Sequence, residues 1–232
     1  MSDKDAAFLH FIRCVANRDA AAVERTLRLH PGFATRASTV GATRDDAEQY
    51  FFESAAHYLY QGDTALHMAV AAFSRPIAEL LVAHGANCRA KNRRGAEPLH
   101  YAADANHWNP TAQADVIAYL ISVGADANAL DNDGVAPLHR AVRTRSLAAV
   151  RALIAGGANV RAPNKAGSTP LHLAVQTTGR GGSGTDLARE QQAGIIVVLL
   201  SNGAKVSDRD AKGKTVLDAA RSAWIRELLL QK

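Results

Sequence analysis

Cysteine is scarce in this chain of 232 residues, and neither Cys14 nor Cys88 has a neighbour at the spacing of a zinc site or redox motif. A disulfide framework and a structural zinc are thereby excluded, and both thiols are expected to be free and reduced. Aromatic residues are few, at 6%, so wherever they cluster they carry information. No stretch approaches the ~18 uninterrupted apolar residues that a membrane span requires. The start, Met1-Ser2-Asp3-Lys4-Asp5, lacks the basic opening and apolar core of a signal peptide. The expected localisation is cytoplasmic, without a membrane contact. Charge of one sign is not strongly concentrated either. The net charge of +5 and a pI near 9.4 invite a nucleic-acid reading. The cluster Arg89, Lys91, Arg93 and Arg94, however, faces Asp126, Asp131 and Asp133 at the equivalent place one repeat later. There is no continuous basic stripe, and nucleic acid is disfavoured as a partner.

What is present is a balance of 47% hydrophobic and 21% charged residues, typical of a globular chain, and an internal repeat. Thr64-Ala-Leu-His-Met-Ala69, Glu97-Pro-Leu-His-Tyr-Ala102, Ala136-Pro-Leu-His-Arg-Ala141 and Thr169-Pro-Leu-His-Leu-Ala174 are versions of one hexapeptide, and Thr215-Val-Leu-Asp-Ala-Ala220 is a drifted fifth. Their leucines, Leu66, Leu99, Leu138, Leu171 and Leu217, are 33, 39, 33 and 46 residues apart. Gly85, Gly124, Gly157 and Gly203 each lie 14 residues before the next of these leucines, so the extra 6 and 13 residues fall between a leucine and its glycine.

Each unit reads as a short helix, a longer helix and a tight turn. Thr64, Thr169 and Thr215 are placed to cap the short helix, and Pro98, Pro137 and Pro170 suit its first position. Ala136 has no side chain with which to cap. Ile77, Leu80 and Leu81, and Val150, Leu153 and Ile154, have the spacing of the second helix, which the glycines end in a left-handed conformation. Such a unit cannot bury its apolar face alone, so neighbours must stack.

With four near-complete copies in register, the pattern resembles the ankyrin repeat, whose motif is T-P-L-H-x-A followed by a second helix ending in G-A-D-x-N. The resemblance runs from about Gln61 to Lys232. It implies an all-α solenoid of helix pairs with hairpin-like fingers, about six repeats including degenerate caps. The expected organisation is a single domain over 1–232, with an N-terminal cap repeat over 1–34, an insertion over 35–60, four repeats over 61–211 and a C-terminal cap over 212–232. The first cap is read as two helices joined near Asn17-Arg18-Asp19, and the last as a helix carrying Trp224, Ile225, Leu228 and Leu229. The resemblance also implies that His67, His100, His139 and His172 bond to backbone and tie neighbouring repeats together.

Function in such a scaffold resides in what the repeats do not share. Three segments depart from the pattern. Phe33 to Tyr60 holds, beyond Phe33 itself, five of the thirteen aromatic residues, Tyr50, Phe51, Phe52, Tyr58 and Tyr60. It is read as helical from Arg44 to Tyr58, with Ala47, Phe51, Ala55 and Tyr58 as a packing stripe; an aromatic anchor for a partner is the other reading. Asp104 to Thr111 carries His107 and Trp108, near Tyr101. Thr177 to Arg189 includes Gly179, Gly181 and Gly184 around Arg180; it follows a helix, whereas a dinucleotide fingerprint follows a strand.

Arg140, Arg143 and Arg145 lie together at the end of one first helix, where they can meet acidic groups of a partner. Neither H-E-x-x-H nor G-x-S-x-G occurs, and no motif asks for a metal or cofactor. The expected function is a protein-binding module that uses its concave face and inserted loops. Tyr58, Tyr60, Arg94, Tyr101, His107, Trp108, Arg140, Arg143, Arg145 and Arg180 are the candidate contacts. The alternative is a small-molecule or enzymatic pocket among Tyr60, Tyr101, Trp108 and the Gly-rich segment.

Overall fold

The computed structural model describes residues 3–104, 109–176 and 185–231. His107, Trp108, Arg180 and the glycines around Arg180 lie outside these residues. The described residues form twelve α-helices and one two-stranded hairpin, an all-α repeat architecture. None of these helices is long and apolar enough to cross a membrane. The chain divides into two compact units, 1–126 and 127–232.

In the first unit α1 (Asp3–Ala16) and α2 (Ala20–Leu29) form the expected initial pair, with Asp19 accepting the Ala22 N–H as helix cap. A three-residue turn, Pro31–Phe33, leads into the insertion, which holds β1 (Phe51–Phe52) and β2 (His57–Tyr58). Then follow α3 (Ala65–Ala71), α4 (Arg75–Ala83), α5 (Pro98–Ala103) and α6 (Pro110–Ser122). The first helices of the pairs, α1, α3 and α5, stack in one row, and α2, α4 and α6 in another. Between the rows, Phe11, Ile12, Leu27, Leu66, Met68, Ile77, Leu81, Leu99 and Ile117 are sealed from solvent. Each such side chain contributes about 2 kcal/mol by leaving water.

The second unit repeats the scheme with α7 (Pro137–Arg143), α8 (Leu147–Ala155), α9 (Pro170–Ala174), α10 (Asp186–Ser201), α11 (Val216–Ala219) and α12 (Ala223–Leu230). Helix α12 closes this unit with Ile225 and Leu229 buried, as the apolar pattern requires, while Trp224 is half-buried.

His67, His139 and His172 do what the resemblance implied. His67 Nδ1 accepts the Thr64 N–H at 3.0 Å, and its Nε2 reaches the Ala96 carbonyl at 3.1 Å, 29 residues along the chain. Because Nδ1 is an acceptor, the proton sits on Nε2, which donates to the carbonyl. His139 links Ala136 N–H to the Ser168 carbonyl, and His172 links Thr169 N–H to the Lys214 carbonyl. At Glu97 and Ala136, where threonine is missing, the ring still takes the backbone N–H. The histidine is therefore the constant part of the cap. Burial holds His139 below the usual imidazole range, against the pull of the Ser168 carbonyl.

The turn between the two helices of a repeat takes two forms. Where nothing is inserted, Phe73 (φ +51°) and Arg145 (φ +57°) adopt the left-handed conformation, and Ser74 and Ser146 donate their N–H groups back to Ala69 and Ala141. In the two repeats with insertions a buried glutamine from the second helix replaces that turn. Gln113 Nε2 donates to the carbonyls of Ala102 and Asp104, and Gln192 Nε2 to those of Ala174 and Gln176. Both side chains satisfy carbonyl groups that the open loop would otherwise leave without partners at the helix C-terminus.

Candidate functional site

The first insertion is closed like a purse by its own ends. The Ser38 N–H donates to the Asp63 carbonyl at 2.7 Å, Gly62 to Ser38 at 2.8 Å, and Ala42 to Leu59 at 2.8 Å. Ala37 pairs with Thr64 as an isolated antiparallel bridge. The approach at Gly41 is so close that an added Cβ would stand 2.5 Å from the Gln61 nitrogen, a contact only glycine avoids.

The expected helix from Arg44 to Tyr58 is not there. Glu48–Tyr50 and Glu53–Ala55 are single helical turns, and between and after them β1 and β2 pair antiparallel, Phe51 with Tyr58 and Phe52 with His57. Ala56 turns the chain with φ +46°. A period of two thus replaces the period of 3.6, and the packing stripe is corrected accordingly. Tyr50, Phe52, Ala55 and Leu59 are buried, whereas Phe51 and Tyr58 remain 39% and 37% exposed with ring centroids 4.8 Å apart. Aromatic residues favour paired strands over a helix, and the adjacent pair Phe51–Phe52 splits between the two faces of the hairpin. Ser54 anchors the hairpin to the first helix pair through a 2.7 Å bond to the Asn17 side chain.

Between the insertion and the turn preceding α5 lies an open hollow of about 310 Å³, lined by Ala42, Thr43, Arg44, Ala47, Tyr58, Tyr60, Arg93 and Arg94. Three of these eight residues are arginines and none is acidic. Arg94 lies 4.4 Å from the centre of the Tyr60 ring and Arg93 5.6 Å from it, positions of cation–π attraction. Arg93 also donates to the Ala42 carbonyl at 2.8 Å, fastening the hollow's two walls together. The turn that presents both arginines is built by Asn92, whose side-chain oxygen accepts the N–H groups of Arg94 and Ala96.

Behind the hollow is a buried polar network. The Asp63 carboxylate accepts the Tyr60 N–H at 2.6 Å, the Asn92 side chain at 2.9 Å and the Tyr101 hydroxyl at 2.8 Å. His57 from β2 rests on the Tyr101 ring, 4.3 Å between centroids, with Nε2 4.0 Å from the Asp104 carboxylate. Its Nδ1 lies 2.8 Å from the Tyr58 carbonyl. The network fixes Tyr60 and the Asn92 turn, and through them the floor and one wall of the hollow.

Of the candidate residues, Tyr58, Tyr60 and Arg94 come together here. Tyr101 is corrected: at 1% exposure it supports the site from behind and offers no surface to a partner. Arg140 is corrected as well. Its side chain is 13% exposed and bonds to Asp131 at 3.1 Å, bracing the turn that leads into α7. Burial opposes the charge on Asp131, but the Val135 N–H, Arg140 and the Asp133 N–H outweigh it and hold that carboxyl below its ordinary range. Arg143 and Arg145 line a narrow hollow of about 50 Å³ beside Gln176 and Gln192 in the second unit.

Sequence reasoning missed Arg44 and Arg93 as site residues and Asp63 and Asn92 as their supports. Arg44 carries no local signal, because its role depends on where the insertion returns. Asn92 was detectable, since Asn, Asp, Asn and Asp stand three residues before Gly95, Gly134, Gly167 and Gly213. At each of these turns the side chain accepts N–H groups two and four residues on.

A family model described as ankyrin repeats (3 copies) matches residues 13–131 and 109–183. Among similar proteins, the ankyrin repeat protein FPV031 of Fowlpox virus (strain NVSL) is 35% identical over 96 residues, 40% of this chain and 27% of its own length. The E3 ubiquitin-protein ligase KEG of Arabidopsis thaliana is 38% identical over 81 residues, 35% of this chain and 5% of its own length. Protein phosphatase 1 regulatory subunit 27 of Homo sapiens is 37% identical over 76 residues, 33% of this chain and 46% of its own length. The chain thus spans less than half of each of these relatives.

Proposed function

From the premise that the chain belongs to the ankyrin repeat family, whose repeats are generally protein-interaction modules, we propose that it is a protein-binding module whose partner docks on the insertion over 35–60 and the Arg93–Arg94 turn. One observation carries this reading. Phe51 and Tyr58 stand exposed and paired on a hairpin that the repeat does not need, at the edge of a hollow with three arginines. Tyrosine and arginine are the residue types that dominate interface energetics, and a rigid ring held by backbone pairing loses little freedom on binding. The pairing of the insertion's ends supplies that rigidity. The regulatory subunit among the relatives is by its name a protein that acts with another protein, which is consistent with this use.

The test is photocrosslinking of the full chain in its native cell. With a benzophenone amino acid at position 58, a discrete protein adduct is expected that is lost on Arg94→Ala. The same probe at exposed Leu230, in the second unit, is expected to give none of that adduct. Identical adducts from both positions, or none from position 58, would refute the assignment of the docking surface.

A further inference from the structure

We infer that the hollow between the insertion and the Arg93–Arg94 turn is a receptor for a phosphorylated side chain of a protein partner. The inference deepens the docking surface proposed above and rests on it. The argument is one of charge and geometry. Arg44, Arg93 and Arg94 all line the hollow, and no acidic residue does. Among the described residues no carboxylate forms an ion pair with Arg44 or Arg94. Elsewhere in the first unit, arginines do find carboxylates: Arg28 with Glu24, Arg36 with Asp5, Arg75 with Glu79 and Asp115, and Arg89 with Asp126. Guanidinium groups drawn together repel one another, and Arg93 and Arg94 are nonetheless held over one ring, that of Tyr60. Arg94 keeps N–H groups beyond the ring face, in the planar fork that matches an oxyanion.

The anion that best balances such a site is a phosphate. A phosphorylated side chain brings about −1.5 to −2 charges and three acceptor oxygens, against one charge for an aspartate or glutamate. The volume of about 310 Å³ admits the group with part of its side chain. The exposed Phe51–Tyr58 pair beside the hollow gives the flanking residues of a polypeptide something apolar to rest on, which an inorganic ion does not need and a lipid headgroup does not use. Since these arginines are exposed, their pull is screened by salt, and the interaction is expected to weaken as ionic strength rises.

The experiment is a titration of the full chain with phenyl phosphate, following arginine Nε–H signals by NMR. Benzoate serves as the carboxylate of similar shape, and vesicles carrying a phosphoinositide as the membrane alternative. Saturable shifts of the Arg44, Arg93 and Arg94 signals are expected, with benzoate about tenfold weaker, as loss of one charge-assisted contact implies. Arg44→Ala and Arg94→Ala, both at exposed positions that leave the fold intact, should each weaken phenyl phosphate about tenfold, while Arg143→Ala in the second unit should not. No shift at these arginines, equal affinity for benzoate, or indifference to both substitutions would overturn the inference. Tighter capture by phosphoinositide vesicles than by phenyl phosphate would overturn its assignment to a protein partner. The two readings fail separately, because a crosslink at position 58 that still forms when cell extract is dephosphorylated before irradiation keeps the docking surface and removes the phosphate.

Discussion

The hydroxyl of Tyr101 donates to the carboxylate of Asp63, 2.8 Å from Oδ1 and 2.9 Å from Oδ2, across 38 residues of sequence. Both residues are shielded from water, and the same carboxylate accepts from the Tyr60 N–H and the Asn92 amide. A buried carboxylate is tolerated only where its lone pairs are filled. Tyr101→Phe removes one donor and little volume, and it should lower unfolding stability by about 1–3 kcal/mol. Because the network also sets Tyr60, the substitution should loosen the Arg94–Tyr60 contact and shift the Arg94 signals. Urea denaturation with an unchanged midpoint would contradict the structural role of this bond.

Glu97 makes a second, pH-dependent prediction. It stands at the cap of α5, where three other repeats carry threonine, and is 2% exposed. Burial pushes its carboxyl above the ordinary value of 4.5, with Arg89 and Lys91 opposing and Asp126 adding to the shift. The folded chain therefore holds this proton more tightly than the unfolded chain. Its contribution to stability is complete below the unfolded value and is lost as pH rises through the folded one. Glu97→Gln, which keeps the shape without the charge, should raise the melting temperature at pH 7 and change it little at pH 4. Calorimetry across that range would show a flatter profile for the variant.

The repeat was legible because it is a matter of spacing: leucine, glycine and histidine recur at fixed offsets, and the helices follow from them. The backbone bonds of His67 and His139 were implied by the resemblance to the ankyrin repeat, not by spacing alone. The insertion was not legible in this way. Ala47, Phe51, Ala55 and Tyr58 suit a helical stripe, but the segment's ends, 17 to 25 residues apart in sequence, are held side by side in space by the pairing of residues 38–42 with 59–63. Closure of that kind leaves room for a short hairpin, and no local propensity records it. Tyr101 looked like a surface aromatic because its hydroxyl's partner, Asp63, lies in the preceding repeat.

Gly41 is where the insertion depends on a missing side chain. Any Cβ there would collide with the backbone of Tyr60 and Gln61, at 2.5 Å. Gly41→Val should therefore part residues 38–42 from 59–63 and open the hollow, while the helices of both units stay folded. Limited proteolysis should find new cleavage after Arg44, and far-UV circular dichroism should be unchanged. Photocrosslinking from position 58 should be lost with it, since the hairpin would no longer be held rigid.

The paired glutamines give the sharpest comparison. Gln113 and Gln192 are 2% and 3% exposed, and each amide serves two carbonyls at the end of the preceding short helix. In the repeats without insertions no such side chain is needed, because Ser74 and Ser146 return their N–H groups to Ala69 and Ala141. Replacing either glutamine by leucine keeps much of the volume but strands two buried acceptors, at a cost of about 1–3 kcal/mol each. The effect should be local at first. Hydrogen exchange in Gln113→Leu should rise at the end of α5 and the start of α6, while α8 and α9 keep their protection. Gln192→Leu should show the mirror result, at the end of α9 and the start of α10. If exchange rose evenly over the whole chain in either variant, the glutamines would be ordinary core residues and not substitutes for the left-handed turn.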